Sequence, residues 1–208
     1  MRPDSDRWFE VTPSQYPWEK EALAYVRDRL PDVEPVRAWS NFEFVADDGS
    51  INEVDLLVLT SKGFYLVEIK SRPGVIDGDA MTWRWAVEES GRELVLDNPR
   101  LLANRKAKKL ASLLQRQKAM ARHRLPFLDP LVFLSAENIK VKLQGAAATS
   151  VCTRDQQQPS GRSAVPGIVH TLTHLSPEEY NDARRRRIDR PLAQAVVRAV
   201  EERGLQAP

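Results

Sequence analysis

The chain of 208 residues has a globular composition, with 42% hydrophobic and 29% charged residues and a formal net charge of +2. That apolar content suits a packed core and excludes a disordered chain, and no stretch approaches the roughly 20 apolar residues of a membrane helix. The first twenty residues lack the apolar core of a signal peptide, and the single Cys152 excludes an internal disulfide or a cysteine-based zinc site. We therefore expect a cytoplasmic protein without a membrane partner.

The first third of the chain predicts a helix followed by three strands. Residues 1–16 have no clear periodicity and are predicted to be an irregular lead-in. Apolar spacing predicts a helix from Pro17 to Leu30, with a proline near each end. Runs of aromatic and branched residues then predict strands at 36–46, 53–60 and 64–70. The last two strands are separated by a short turn with Gly63 and predict a hairpin, and their apolar faces indicate a central, covered position.

The remainder predicts a mixture of helices and strands. A turn-rich segment at 71–79 precedes a small hairpin, and Asn98-Pro99 then begins a long helix from Arg100 to His123. Later segments predict strands at 131–135, 140–143, 149–153 and 167–175 and helices at 176–187 and 191–203. We expect an α/β fold in which residues 17–175 form one domain and residues 176–208 form a helical C-terminal tail.

Three charged residues in the predicted hairpin form a candidate catalytic site. Glu68 and Lys70 lie on one face of their strand because side chains alternate, and closure of the hairpin around Gly63 brings Asp55 within reach of Glu68. Buried carboxylates need a partner, and a divalent cation between them would provide one. Two carboxylates and the Ile69 carbonyl suit Mg²⁺ or Mn²⁺, while the lysine could orient an attacking water. The alternative is an exposed strand edge with Asp55 in an ordinary turn.

The segment INEVDLLVLTSKGFYLVEIKSRPG resembles the core of the nuclease-related (NERD) domain, a branch of the PD-(D/E)xK nuclease superfamily. The resemblance covers roughly residues 17–135 and implies a restriction-endonuclease-like core, with a central mixed sheet flanked by helices. It implies that Asp55 and Glu68 are metal ligands, that Lys70 is the catalytic lysine, and that Glu19 is a supporting acid on the first helix. Glu53 and Leu102 differ from the glutamines common in the family, which concerns substrate contacts more than the metal core.

The whole chain, especially NPRLLANRKAKKLASLL, is similar to the N-terminal region of PglW-type serine/threonine kinases from bacterial phage-defence systems. The resemblance implies a kinase region after Pro208 and partners among other defence proteins. The kinase motifs themselves, a glycine-rich phosphate loop, HRD and DFG, are not found in these residues.

The predicted long helix is strongly basic. Nine Lys or Arg and no acid lie between Arg100 and Arg124. Four of them fall on one helical face and predict a phosphate-binding surface: Arg105, Lys108, Lys109 and Arg116. The alternative is an ordinary solvated helix face.

Three functions are consistent with these features. The first is a Mg²⁺- or Mn²⁺-dependent endonuclease acting on DNA. The second is a non-catalytic nucleic-acid-binding or sensing domain that regulates an attached kinase. The third is a protein-interaction scaffold that uses the C-terminal helices.

Overall fold

The computed structural model describes residues 1–87, 91–155, 165–174 and 188–205. Within these residues the strands are β1 (Trp8–Glu10), β2 (Arg37–Val45), β3 (Ile51–Leu59), β4 (Phe64–Lys70), β5 (Gly74–Gly78), β6 (Thr82–Val87), β7 (Arg92–Asp97), β8 (Leu128–Leu134), β9 (Ile139–Val141) and β10 (Val151–Cys152). The α-helices are α1 (Pro17–Arg29), α2 (Pro99–Gln115), α3 (Ile168–Thr173) and α4 (Arg190–Arg203). The predicted α/β class is confirmed.

A mixed sheet of six strands, in the order β1-β2-β3-β4-β8-β10, forms the centre of the fold. Strands β2, β3 and β4 are antiparallel neighbours, whereas β8 runs parallel to β4. Strand β4 is buried from Phe64 to Ile69, and β8 is buried throughout. The apolar composition of both faces therefore predicted the central position of the hairpin correctly, because helices cover the two faces.

Alternation along β3 and β4 assigns each residue to one of two layers. Leu57 and Leu66 pack with residues of α2 and α4 on one face of the sheet. Leu56 and Val67 pack with residues of α1 and α3 on the other face. Helix α1 and helix α2 therefore lie on opposite sides of the central sheet.

Helix α2 begins as predicted and ends earlier. The Asn98 side chain accepts a hydrogen bond from the N–H of Arg100, and Pro99 occupies the first turn. The prediction that the helix reaches His123 is wrong, because α2 ends at Gln115 and the extended backbone of Gln117 separates it from a short 3₁₀ helix, Lys118–Met120. Met120 is buried against the core, and this burial favours a change of chain direction over a continued helix.

A second sheet of four strands, in the order β7-β6-β5-β9, packs against one end of the central sheet. Its strand β5 lies in the segment 71–79, which the sequence predicts to be turn-rich. Gly74 and Gly78 have positive φ angles of 126° and 141°, and an added Cβ would lie 2.3 Å from the carbonyl oxygens of Ala86 and Thr82. The glycines that suggested turns thus allow close approach of β5 and β6.

Two further predictions need correction. The lead-in is not entirely irregular, because β1 pairs in parallel with β2. The predicted strand at 167–175 is instead helix α3, and its first N–H groups, those of Val169 and His170, donate to the carboxylate of Asp155. The prediction for 176–187 falls outside the described residues. In the described part of the chain, no helix combines the length and the apolar character needed to cross a membrane.

Candidate active site

The end of the β3–β4 ladder brings Asp55 and Glu68 together. The β3–β4 ladder ends with Leu56 opposite Val67, and Asp55 and Glu68 are the next residues beyond this pair on the two strands. Residues opposite each other in antiparallel strands point to the same face. The Asp55 carboxylate accepts a hydrogen bond from the N–H of Ile69, with an N–O distance of 2.6 Å. The predicted proximity of the two acids therefore agrees with this geometry.

Glu68 lies at the boundary between two packed regions. The hydrophobic core cluster between α2 and the central sheet includes Leu66. The hydrophobic core cluster between the second sheet and the central sheet includes Val132 and Leu134. Val132 is the parallel-register partner of Glu68 on β8. The acid therefore faces the junction between α2 and the second sheet, and its side chain is only 6% exposed.

Two lysines neutralise Glu68. Lys70 Nζ lies 2.9 Å from Oε1, and Lys106 Nζ from α2 lies 2.8 Å from Oε2. The side chain of Lys70 is 35% exposed and that of Lys106 only 10%. With Asp55, the site contains two acids and two amines. Charge-assisted hydrogen bonds of this kind are the strong ones in a protein.

The two carboxyl groups respond oppositely to this environment. Asp55 is partly exposed, yet the surrounding protein removes enough water to raise its pKa, and the negative charge of Glu68 raises the pKa further. The Ile69 N–H, Lys106 and Lys70 lower the pKa of Asp55, but their effect is smaller. Burial alone would raise the pKa of Glu68 as well. The charges and hydrogen bonds of Lys70 and Lys106 outweigh that effect, and the pKa of Glu68 is lowered. Glu68 is therefore the firmly ionised member of the pair.

The backbone of Ile69 is oriented toward Asp55. The Lys70 carbonyl accepts from the N–H of Ser135, which follows β8, so the backbone groups of Lys70 point to β8. Neighbouring residues of a strand direct their backbone groups to opposite sides, and the Ile69 N–H indeed reaches Asp55. The N–H and C=O of one residue in a strand point to the same side, so the Ile69 carbonyl is also directed away from β8.

Glu19 does not join this group. It lies on α1, which packs on the face of the sheet opposite to Glu68, and its carboxylate accepts from the Ser14 hydroxyl at 2.8 Å. Within the described residues, no set of three His, Cys, Asp or Glu side chains is arranged to hold a metal ion. A cation at this site would therefore rely on two carboxylates and backbone or water oxygens.

The four predicted phosphate-binding residues divide into two pairs. Lys109 Nζ lies 2.8 Å from Asp48, and Arg116 lies 2.6 Å from one oxygen of Asp47. Both acids belong to the turn between β2 and β3, which folds onto α2. Arg105 and Lys108 are exposed, and neither forms an ion pair with a described residue.

Lys106 is the site residue that the sequence reasoning missed. The charge pattern groups Lys106 with the basic residues of the helix, but the residue lies on the apolar face with Ala103, Ala107 and Leu110. Lysine is almost never buried without a partner. Its position between alanines on the buried face was the available signal that an acid must approach it.

The mixed central sheet flanked by helices is consistent with a nuclease-type domain. The chain belongs to the nuclease-related domain (NERD) family, whose family model matches residues 14–135. Over 150 residues, or 72% of its length, it is 37% identical to a protein named "Probable kinase PglW" from Streptomyces coelicolor, of which it spans 9%. No solved structure matches the chain significantly. The predicted family is confirmed.

Proposed function

We propose that this domain hydrolyses phosphodiester bonds in DNA with the help of a divalent metal ion. The observation that carries the proposal is the meeting of two acids and a lysine where the β3–β4 ladder ends: Asp55 accepts from the N–H of Ile69, and Lys70 contacts Glu68. The NERD family match supports a nuclease-type chemistry for this arrangement.

The donor set suits Mg²⁺ or Mn²⁺. Asp55, Glu68 and the Ile69 carbonyl would supply hard oxygen ligands, leaving other positions to water and phosphate. When bound, such an ion stabilises negative charge on phosphate oxygens and makes a coordinated water more acidic. Each oxygen of Glu68 accepts from one lysine and keeps a second lone pair, so a cation bound there would share the carboxylate with Lys70 and Lys106.

Lys70 is suited to work on the water and the phosphate. Lys70 is the last residue of β4, and its side chain is 35% exposed, so its ammonium group can turn from Glu68 toward solvent. From that position Lys70 can hold the attacking water and exchange a proton with it. Asp55 and the Ile69 N–H keep the strand ends in register while this happens.

Cleavage by the 208-residue chain tests the proposal. We expect cleavage of duplex DNA with added Mn²⁺ or Mg²⁺, no cleavage in excess chelator, and loss of cleavage in Asp55→Ala. Arg84→Ala, on strand β6 of the second sheet, is a control and should behave like wild type. Intact DNA and RNA across a range of divalent metals, at high protein concentration, would contradict the proposal.

The biological setting is also part of the proposal. The chain corresponds to 9% of the length of the Streptomyces coelicolor relative, whose name describes a probable kinase. We propose that the nuclease-type domain precedes a serine/threonine kinase region in a cytoplasmic anti-phage protein, where other defence proteins are possible partners. A nuclease and a kinase in one chain could couple recognition of foreign DNA to phosphorylation.

The second candidate function is a non-catalytic nucleic-acid sensor that regulates the kinase region. The internal compensation of charge at Glu68 favours it, because the acid is already satisfied by Lys70 and Lys106. In this function the basic side of α2 would bind DNA and the acidic site would be structural. Exposed Arg105 and Lys108 are the residues available for phosphate contacts.

Charge substitutions on α2 separate the exposed residues from the paired ones. We expect Arg105→Ala combined with Lys108→Ala to weaken DNA binding roughly tenfold or more at low salt, and to reduce its salt dependence by up to about two phosphate contacts. Lys109→Ala combined with Arg116→Ala should have a smaller effect, because Asp48 and Asp47 already neutralise these two residues. Fluorescence anisotropy with labelled duplex at several salt concentrations measures both.

The acidic turn provides the matched reciprocal test. Asp47→Asn combined with Asp48→Asn releases Lys109 and Arg116 and should strengthen DNA binding severalfold. Equal affinity in all three double variants and in wild type would show that this face of α2 does not bind DNA.

A further inference from the structure

Lys106 is not among the residues that the sequence predicts for the catalytic site. Its side chain is 10% exposed, against 35% for Lys70, although the two amines contact the two oxygens of the same carboxylate at nearly equal distances. The difference lies in their freedom to move. Lys70 stands at a strand end and can turn outward, whereas Lys106 extends from the buried face of α2.

The packing of α2 fixes Lys106 in place. Ala103, Ala107 and Leu110 lie in the core on either side of it, each at most 2% exposed. Small alanine side chains bring the helix close to the sheet, so the lysine reaches Glu68 directly. If the Lys106 ammonium group moved away from Glu68 and found no other partner, its buried charge would carry the full desolvation free energy.

This geometry has a consequence for a cation at Glu68. Lys106 Nζ occupies one of the two acceptor sites of Oε2, and its positive charge repels any second cation held by the same carboxylate. We propose that Lys106 is a positioning residue that competes with the divalent ion for Glu68 and so keeps the metal affinity of the site low. The proposal rests on the proposed function, because it concerns the same metal site.

Binding of Mn²⁺ to the 208-residue chain tests the competition. Lys106→Met keeps the length and apolar stem of the side chain and removes the charge, so we expect the dissociation constant for Mn²⁺ to fall roughly tenfold or more. Lys62→Met is the control, because Lys62 lies in the turn at the opposite end of the hairpin from Glu68 and its substitution should leave the constant near wild type. Isothermal titration calorimetry and the Mn²⁺ electron paramagnetic resonance signal both report binding without any cleavage.

The outcomes distinguish this inference from the proposed function. Tighter Mn²⁺ binding by Lys106→Met supports the inference, since a purely structural lysine would not improve metal affinity when removed. Equal or weaker binding by a folded Lys106→Met overturns it and leaves the metal-dependent function standing. No Mn²⁺ binding by wild type, Lys106→Met or Lys106→Gln overturns both. Lys106→Gln serves as the decisive variant if Lys106→Met does not fold.

Discussion

Substitution of Lys70 by methionine is expected to lower the rate of metal-dependent DNA cleavage by about 10²–10⁴-fold. Methionine retains the apolar stem but cannot orient the attacking water or exchange a proton with it. Because a positive charge beside Glu68 is also removed, Mn²⁺ should bind at least as tightly as in wild type. Single-turnover cleavage of a labelled duplex, together with calorimetric titration of Mn²⁺, separates the two quantities.

The variants Asp55→Ala and Lys62→Met complete this experiment. Asp55→Ala should lose both cleavage and Mn²⁺ affinity, since it removes a proposed ligand, whereas Lys70→Met should lose cleavage alone. Lys62 lies in the turn at the opposite end of the same hairpin, so Lys62→Met should resemble wild type. Wild-type cleavage rates in Lys70→Met would exclude a catalytic role for the lysine.

The parts of the site that the sequence predicted are those set by local rules. Asp55 and Glu68 are 13 positions apart in one hairpin, and the turn at Gly63 fixes the register that leaves both residues just beyond the Leu56–Val67 pair. Alternation along β4 then assigns Glu68 and Lys70 to the same face. Both arguments use only neighbouring residues, and the structure agrees with them.

The parts that could not be predicted depend on contacts between distant segments. Lys106 and Glu68 are 38 positions apart, and Lys109 and Asp48 are 61 apart. Counting charges within α2 suggested an uncompensated basic face, yet acids from the turn between β2 and β3 neutralise part of it. Composition within one helix cannot show which loop will fold onto it.

Short elements show the same limitation. The segment 167–175 alternates apolar and polar residues, a pattern that predicts a strand, but its central residues form α3. Asp155, which lies outside the segment, stabilises the first turn of α3 by accepting hydrogen bonds from the N–H groups of Val169 and His170. A six-residue helix has too few turns for periodicity to reveal it, so its tertiary contacts decide the conformation.

Glu68→Leu is expected to destabilise the domain by about 3–5 kcal/mol, although leucine is apolar and fits a buried strand. The substitution leaves Lys106 buried without its acid, whereas Lys70 can turn to solvent. Glu68→Gln should cost less, because the amide oxygen still accepts a hydrogen bond from one lysine. Urea denaturation followed by circular dichroism gives the free energy of unfolding for each variant.

The double variant Glu68→Leu with Lys106→Met identifies the source of that loss. If the loss of stability comes from the unpaired ammonium group of Lys106, removing that group should recover most of the stability. Apolar replacements of a whole buried ion pair are often neutral or stabilising. A double variant no more stable than Glu68→Leu alone would place the cost in the packing of β4 instead. The sign of the coupling energy between positions 68 and 106 therefore determines whether the buried lysine constrains Glu68 through charge or merely fills space beside it.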